Sequence, residues 1–599
     1  MKIVSRKLFS VFAIIAALIG TGSSSFAQPV ISVSPSVINN TYQGDITLNI
    51  TGLTNTEKVI IQRWIDGNAN GAIDVGEQMM DSFTIADGGA MVITGVTNLN
   101  VPFDSNSATG AITTTFNFAA SMAIENMTGH FVYAVVSRTG RFTPVTATLT
   151  VTNAALNQFI SGIIYSNGVP SPHAVVVAQD MVAQNPVASA VADAGGHYVL
   201  ALPAGNYGLI GSAPNCYFDQ NSAPSFTLTN GISSTNNLFL TGGGTNTISG
   251  SIYDAGNSNG IGGLLVQFQS GSLFEIVFTD PNGNYSAAVS SAFWKIQATK
   301  ERLARRAYLV PGTTFQVDTT SGSVSNANIA LPRGNALFYG RLTDNANNPF
   351  ANVEVDASTD NNAYSAKGYS DLNGYYTVVV LGDLTNYWNC NINNGNNTAI
   401  ANDIVNTFQS TTNAPGQVNL QNFIALPTSA TISGHVRDNS GTNIVGVVLV
   451  GSATIGGNSY STLDAPTDGS GNFSLPVAAG QWSVQFQTGG HDSGNLDVQG
   501  YVDITAPHFV NIPPTNAVLN LTVYPLGTPF ITSPQRFGSS QFGFTINGLI
   551  NVSYTVQEST NLNSTNWANL FSLTLTNSAF PVLDVNATNS PRFYRVQKN

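Results

Sequence analysis

The residues of this 599-residue chain whose types and spacing best suit chemistry lie in one loop, where oxygen-bearing side chains stand at alternate positions. In a tightly turning loop such side chains converge, and carboxylate, amide and carbonyl oxygens are the ligands that a hard cation such as calcium prefers. The glycine at position 71 permits the sharp bend, and the final carboxylate can close the site with two oxygens. The pattern predicts a structural Ca²⁺ ion bound by Asp66, Asn68, Asn70, Ala72, Asp74 and Glu77.

The loop from Asp66 to Glu77 resembles the EF-hand type of calcium loop at each diagnostic position. Residues 58–65 and 82–85, however, alternate like strands and lack the helical period of that family. We therefore expect a structural calcium ion that links two strands, instead of a calcium sensor. With three carboxylates, the expected dissociation constant is about 10⁻⁴ to 10⁻³ M. The alternative is a surface turn rich in Asn, Asp and Gly that binds no metal.

A turn motif, Asp-x-x-Gly-x-aromatic, recurs four times in the chain, beginning at Asp193, Asp280, Asp371 and Asp468. The aspartate can accept hydrogen bonds from backbone amides across the turn, and the glycine supplies a positive φ. Upstream of each turn lies a strand that contains a glycine, where we expect a bulge or a close approach of backbone. These glycines are Gly162, Gly250, Gly340 and Gly434, and the aromatics expected between the sheets are Tyr198, Tyr285, Tyr376 and Phe473.

The repeated signature is similar to that of the carboxypeptidase regulatory-like domains and, in pattern, to the B-type repeats of bacterial surface adhesins. The resemblance implies prealbumin-like Greek-key sandwiches and specifies function poorly. The predicted fold class is all-β: a tandem array of an immunoglobulin-like sandwich, four prealbumin-like sandwiches and a small C-terminal β module. The predicted ranges are 1–27 (signal peptide), 28–154 (immunoglobulin-like), 155–244, 245–333, 334–426 and 427–526 (first to fourth repeats), and 527–599 (C-terminal module).

The N-terminal residues have the pattern of a secretion signal. Lys2, Arg6 and Lys7 are basic, residues 8–19 are mostly apolar, and residues 25–27 fit a small-x-small cleavage site. We therefore expect a secreted or cell-surface protein. Since no later run is long and apolar enough to span a bilayer, we expect no transmembrane segment after cleavage. The C-terminal module resembles one found at the ends of many secreted proteins of environmental bacteria. The resemblance implies an accessory or surface-retention role, and the alternative is a domain that only caps the array.

Composition restricts the classes of partner and chemistry. Only 9% of residues are charged, and 32 acidic against 20 basic residues argue against a nucleic-acid partner. The two cysteines, Cys216 and Cys390, are predicted to be small core or semi-buried thiols, with a bridge between non-neighbouring repeats as the alternative. The six histidines are scattered, and zinc-protease, nucleophile-elbow and P-loop motifs are absent from the sequence. These observations predict a protein that is not an enzyme.

Two features leave alternatives open. Trp294, Trp388 and Trp482 follow the repeated turns and are either core residues, which their position favours, or platforms for sugar rings. The basic residues of 300–306 are either an exposed helical turn, the preferred interpretation, or a site for an acidic polymer.

The predicted function is that of a non-catalytic scaffold or adhesin-like protein, built as a string of modules with bending set by links such as residues 241–245. Its expected partner is an unidentified extracellular polymer or surface, with polysaccharide as one candidate. The alternatives are a carbohydrate-binding protein and a hydrolase with an unrecognised site.

Overall fold

The computed structural model describes residues 28–117, 127–182, 186–242, 244–392, 397–489, 491–513, 515–588 and 591–599. The chain is all-β, a tandem array of sandwich modules, as the alternating sequence predicts. The predicted signal peptide, residues 1–27, lies outside the described residues. Among the helices in the described part of the chain, none is long and apolar enough to cross a membrane.

The N-terminal module is built from two facing sheets and a short hairpin, with strand orders β1-β3-β8, β2-β10-β9-β4-β5 and β6-β7. Its strands are β1 (Val30–Ser34), β2 (Val37–Asn39), β3 (Asp45–Thr51), β4 (Lys58–Ile65), β5 (Met79–Ala86), β6 (Val92–Ile93), β7 (Val96–Thr97), β8 (Ala111–Asn117), β9 (Gly129–Ser137) and β10 (Val145–Thr152). Alternate residues of β3 are buried, which places Ile46, Leu48 and Ile50 in the core.

The first two repeats contain the following elements. The first has β11 (Phe159–Ser166), β12 (Val169–Pro170), β13 (Val175–Asp180), β14 (Pro186–Val191), β15 (His197–Ala201), β16 (Gly205–Ser212), β17 (Cys216–Asp219), a 3₁₀ helix (Gln220–Ser222), β18 (Ser225–Leu228), β19 (Ser234–Thr235) and β20 (Leu238–Gly242). The second has β21 (Asn246–Asp254), β22 (Leu265–Ser270), β23 (Leu273–Phe278), β24 (Asn284–Val289), β25 (Phe293–Ala298), α1 (Lys300–Ala304), β26 (Val310–Pro311), β27 (Phe315–Asp318) and β28 (Ile329–Leu331).

The remaining modules follow the same scheme. The third repeat has β29 (Ala336–Asp344), β30 (Glu354–Thr359), β31 (Tyr364–Tyr369), β32 (Tyr375–Val380), β33 (Tyr387–Asn391), a 3₁₀ helix (Thr398–Ile400), β34 (Asp403–Val405), β35 (Thr411–Thr412), β36 (Val418–Leu420) and β37 (Phe423–Pro427). The fourth has β38 (Ala430–Asp438), β39 (Val448–Ile455), β40 (Asn458–Ser461), β41 (Ala465–Pro466), β42 (Asn472–Val477), β43 (Gly480–Phe486), β44 (Tyr501–Val502), β45 (His508–Ile512), β46 (Ala517–Val518) and β47 (Leu521–Pro525). The C-terminal module has β48 (Phe530–Phe537), β49 (Gln541–Asn547), β50 (Ser553–Ser559), β51 (Ala568–Thr574), β52 (Ala579–Asp584) and β53 (Phe593–Lys598).

The glycine in the first strand of each repeat lies where another segment of backbone passes very close. A Cβ atom at Gly340 would lie 1.9 Å from the carbonyl oxygen of Gln421, a distance that no side chain can occupy. The same oxygen accepts a hydrogen bond of 2.6 Å from the hydroxyl of Tyr376, the aromatic of the turn motif. Tyr198 makes the equivalent bond in the first repeat. The predicted close approach and the predicted aromatic packing are therefore confirmed as parts of one arrangement.

The turn motif also has its predicted geometry. In the fourth repeat, Oδ1 of Asp468 accepts hydrogen bonds from the backbone amides of Ser470 and Asn472, both at 2.8 Å. Gly471 has a φ of +80°, which favours glycine because it has no Cβ. The aspartates at 193, 280 and 371 accept two backbone hydrogen bonds in the same way. These aspartates stabilise turns, as the sequence predicts.

The repeats are joined by shared sheets, which differs from the predicted string of modules with bending set by the links. Strand β17 of the first repeat pairs with β20 in its own repeat and with β23 of the second, so one sheet crosses the link at 241–245. Strand β26 of the second repeat pairs with β31 of the third. Backbone hydrogen bonds between repeats restrict bending, because they must break before the repeats can separate.

The N-terminal module packs against three repeats. Its core continues into Val175 of the first repeat and into Leu265 and Ile276 of the second. The amide of Leu99 also donates to the hydroxyl of Thr377 in the third repeat at 2.8 Å. The first repeat follows the N-terminal module directly in the chain, whereas the contacts with the second and third repeats join segments that are distant in sequence.

The basic cluster of residues 300–306 forms the predicted helical turn, α1, but its predicted exposure is wrong. Arg302 is 1% exposed and Arg306 is also buried. The guanidinium of Arg306 lies 2.6 Å from Asp81 of the N-terminal module, and that of Arg305 lies 3.1 Å from the same carboxylate. The cluster is a buried contact between modules, because a carboxylate on β5 supplies the opposite charge.

Candidate calcium site

The predicted calcium loop connects β4 to β5, two adjacent antiparallel strands of the N-terminal module. The flanks are strands, as predicted, so the loop is a long hairpin connection. The backbone amide of Asp66 donates to the carbonyl oxygen of His130 on β9 at 2.9 Å, which anchors the start of the loop to the sheet. The position of the loop is therefore determined by three paired strands.

Asp66 organises the first half of the loop. Its side chain is buried, and its two carboxylate oxygens accept hydrogen bonds from the backbone amides of Asn70 at 3.1 Å and Gly71 at 2.9 Å. Gly71 has a φ of +76°, the conformation required for the bend. Gly71 therefore bends the loop as predicted, and the carboxylate of Asp66 holds the backbone at that bend.

Asn68, Asn70 and Asp74 lie together on the exposed side of the loop. The side-chain amides of Asn68 and Asn70 donate to Oδ2 of Asp74 at 2.8 and 2.7 Å. Their Oδ1 atoms accept the backbone amides of Asn70 at 3.1 Å and Ala72 at 2.7 Å. Asn68 and Asn70 are thus each held beside Asp74, through their amide nitrogens.

Glu77 joins the two ends of the loop. Its Oε1 accepts the backbone amide of Gly67 at 2.9 Å, and its Oε2 accepts that of Asp74 at 2.9 Å. The side chain is largely buried, as expected for a residue that closes a loop. Both carboxylate oxygens are directed into the loop, which is the orientation that a bidentate ligand requires.

The predicted ligand set consists of oxygen atoms, which is the donor chemistry that calcium requires. In the structure the side-chain oxygens of this set accept hydrogen bonds from the amides of their own loop. Among the described residues, no three His, Cys, Asp or Glu side chains are clustered in an arrangement that could hold a metal ion. Calcium binding would require Asn68 and Asn70 to turn their Oδ1 atoms toward the ion.

The loop also contacts the first repeat, which the sequence did not indicate. A Cβ atom at Gly67 would lie 2.0 Å from Cδ2 of His173, so the imidazole ring packs directly on this glycine. His173 itself has a φ of +60° in the turn before β13. A cation held in the loop would therefore stiffen a junction between two modules as well as one hairpin.

The three tryptophans are core residues. Trp294, Trp388 and Trp482 are all 0% exposed, and each indole Nε1 donates to a backbone carbonyl in its own repeat, at 3.0, 3.0 and 2.9 Å respectively. Stacking on a sugar requires an exposed ring face, so none of the three can bind carbohydrate. The carbohydrate-binding alternative therefore loses these three rings as stacking platforms.

The cysteines are free and buried, in separate cores of the first and third repeats. Burial raises the pKa of both thiols, most strongly that of Cys390. A neutral buried thiol is a poor nucleophile, because the thiolate is the reactive form.

Comparisons with known proteins leave the family open. No family model matches the chain, and no curated protein matches it. Among solved structures, the Bacillus anthracis TIE protein has 11% identity over 66% of this chain and 75% of its own, with a TM-score of 0.15. The Streptococcal ancillary pilin has 12% identity over 46% and 98%, with a TM-score of 0.16, and BcpA, the major pilin subunit of Bacillus cereus, has 10% over 61% and 99%, with a TM-score of 0.13. These TM-scores lie below 0.5, so the assignment of an all-β tandem array rests on the chain's own strands and sheets.

Proposed function

We propose that this chain is a non-catalytic extracellular scaffold, of adhesin-like type, which holds β-sandwich modules in a fixed arrangement and presents them to an extracellular polymer or surface. The observation that carries the proposal is the set of buried contacts between modules. A sheet shared by the first and second repeats, a common core and a buried ion pair at Asp81 are what a stiff spacer requires.

The composition and the site chemistry support a non-catalytic role. The hydrolase alternative required titratable side chains to converge in a concave pocket. His508 and Asp503 form a close pair in the fourth repeat, with 2.6 Å between the imidazole Nε2 and a carboxylate oxygen. Neither side chain lines the groove that lies over the outward face of the β40-β39-β43-β45 sheet of that repeat. The carbohydrate-binding alternative that depends on the tryptophans has no support, because those rings are buried.

Export is the first test of this proposal. Expressed with residues 1–27 in place, the chain should be recovered outside the cytoplasm with a new N-terminus at Gln28, because the basic and apolar segments match a cleaved signal. N-terminal sequencing of the exported product measures this. An Ile14→Arg variant, which interrupts the apolar segment, should remain inside the cell. Recovery of the intact wild-type chain in the cytoplasm would contradict the proposed localisation.

Calcium binding is the second part of the proposal, with Asp66, Asn68, Asn70, the Ala72 carbonyl, Asp74 and Glu77 as ligands and a structural role. The full chain, treated with chelator, should bind one Ca²⁺ in calorimetric titration, with a dissociation constant of about 10⁻⁴ to 10⁻³ M. Calcium at ten times that constant should stabilise the folded chain by about 1.4 kcal/mol. The full chain is needed because the core of the N-terminal module continues into two repeats.

Two variants separate calcium binding from the turn geometry. Asp66→Asn keeps an oxygen that can accept a backbone amide but loses the charge, so it should abolish the heat of calcium binding. Asp468→Asn makes the same change in a turn of the fourth repeat and should bind calcium like the wild type. Equal melting temperatures with and without calcium in the wild-type chain would show that the loop is a turn without a metal.

A further inference from the structure

The outward face of one sheet in the fourth repeat carries an ordered set of uncharged polar side chains. The sheet has the order β40-β39-β43-β45. Alternate residues point into the core, where Leu449, Trp482 and Val484 are buried. The residues between them face outward; apart from Val448 and Val450 at one end of β39 and Phe509 on β45, they are Ser, Thr, Gln or Asn. We call this surface the serine face; its members are Ser452, Thr454, Ser459, Ser461, Gln481, Ser483, Phe509 and Asn511.

The strand register aligns these side chains in rows across the sheet. Ser461 lies opposite Ser452, Ser452 lies opposite Ser483, and Ser483 lies opposite Phe509. Neighbouring members of a row are about 4.8 Å apart, and the next row along the strands is about 7 Å away. The result is a row of three hydroxyl groups that ends at an aromatic ring.

The serine face is concave. A groove of about 490 Å³ runs over it, lined by seven of its members, including Phe509, together with Ala453, Tyr460 and Thr407. Thr407 belongs to the third repeat, and its backbone amide donates to the carbonyl oxygen of Ser459 on the edge strand β40 at 2.8 Å. One wall of the groove is therefore supplied by the preceding repeat, which also covers the edge of the sheet.

The lining chemistry restricts the ligand. Among the described residues that line the groove, the side chains carry hydroxyl groups, one amide, methyl groups and aromatic rings, and no formal charge at neutral pH. An anionic ligand would find no cation there, and an apolar ligand would bury the hydroxyl groups without replacing their hydrogen bonds to water, which is costly. A neutral ligand with many hydroxyl groups meets neither penalty.

Phe509 adds a flat apolar contact. Its side chain is 66% exposed, although it is a large aromatic at the end of the hydroxyl row. A sugar ring presents C–H bonds on its faces and hydroxyl groups at its rim, so a ring stacked on Phe509 can direct its rim toward Ser483 and Gln481, and the next ring of a polymer can reach Ser452. Aromatic rings contribute both burial and geometry to such contacts.

We propose that the serine face is a binding site for a neutral hexose polymer, with Phe509 as the stacking residue and Ser452, Gln481 and Ser483 as hydrogen-bonding residues. The site is independent of the calcium loop and of the buried tryptophans. It gives the scaffold a specific surface, at the junction of the third and fourth repeats, through which it contacts a polysaccharide.

The proposal is tested on the full chain by calorimetric titration with three probes: cellohexaose, maltohexaose and, as an acidic control, hexagalacturonate. At least one neutral hexamer should bind, and hexagalacturonate should not. Phe509→Ala should weaken the binding by about tenfold or more, and Ser483→Asp should abolish it by placing a charge in the row. Phe293→Ala, at an equally exposed aromatic (65%) in the second repeat, is the matched control and should bind like the wild type.

Several outcomes would overturn the proposal. They are no binding of either neutral hexamer at millimolar concentration, equal binding of hexagalacturonate, or unchanged binding in both Phe509→Ala and Ser483→Asp. Sedimentation of a dimer that Phe509→Ala dissociates would assign the face to a second copy of the chain instead. Because Phe509 is exposed, Phe509→Ala should have the melting temperature of the wild type. Gln481→Ala is an additional variant at an exposed position, so it does not disturb the core either.

Discussion

Asp81→Ala should lower the free energy of unfolding of the full chain by about 3 to 5 kcal/mol. Asp81 is buried at the contact between the N-terminal module and the second repeat, where Arg306 lies 2.6 Å and Arg305 3.1 Å from its carboxylate. Burial by itself would raise the pKa of Asp81, but Arg306, Arg305 and Arg302 outweigh burial and hold it below its usual range. Removing the carboxylate leaves the guanidinium groups in a low-dielectric contact without the charge that they share.

Chemical denaturation of the wild type and of four variants measures this effect: Asp81→Ala, Arg306→Met, the two changes combined, and Asp318→Asn. Asp318→Asn changes an exposed aspartate and should leave the free energy of unfolding close to that of the wild type. Arg306→Met combined with Asp81→Ala should cost less than the sum of the two single changes, because both groups of the pair are then removed. If the effects of the two single changes on the free energy of unfolding are strictly additive, or if Asp81→Ala lowers it by less than about 1 kcal/mol, then the pair behaves as an exposed ion pair.

Glu275→Gln should stabilise the chain at neutral and alkaline pH and leave it nearly unchanged at pH 4 to 5. Glu275 lies on β23 and is 0% exposed, and neither carboxyl oxygen makes a well-formed hydrogen bond within the described residues. Burial raises the pKa of this carboxyl to about 9, and the amide of Ala288 offsets the effect only in part. The folded chain therefore keeps the proton that the unfolded chain releases.

The sign of the pH dependence follows from the two pKa values. Between the ordinary carboxyl pKa near 4.5 and the folded value of about 9, the folded state binds more protons than the unfolded state. Stability therefore falls as pH rises through this window, by about 3 kcal/mol at pH 7. Glutamine cannot ionise in either state, so the stability of the variant does not fall with rising pH in this way.

Thermal melting from pH 4 to pH 9 tests the prediction, with Glu57→Gln as a control of opposite sign. Burial acts on Glu57 too, but its hydrogen bond and ion pair with Arg141 at 2.8 Å outweigh burial and lower its pKa. Its stabilising contribution is present above the ordinary carboxyl pKa and is lost as pH falls. Glu57→Gln should therefore destabilise the chain at pH 7. A difference between Glu275→Gln and wild type that does not grow with pH would refute the ionisation argument.

The sequence by itself determined the parts of this protein that depend on near neighbours in the chain. The Asp-x-x-Gly turns have the predicted hydrogen bonds, and Gly340 lies at the predicted close approach of backbone. The loop from Asp66 to Glu77 lies between two strands, as the alternation of its flanks indicates. Turn chemistry and strand periodicity act over a few residues, so the residue types report them directly.

The tertiary structure decided what each exposed or buried side chain contacts. Arg306 meets a carboxylate 225 positions away, and the basic cluster is therefore a buried contact instead of an exposed turn. Both faces of the β23 strand are buried, at Glu275, Ile276 and Val277, because other segments cover it on each side, and strand alternation did not predict this. The rows of the serine face depend on the register of four strands. Such contacts are set by the packing of distant segments, for which a single sequence carries no local signal.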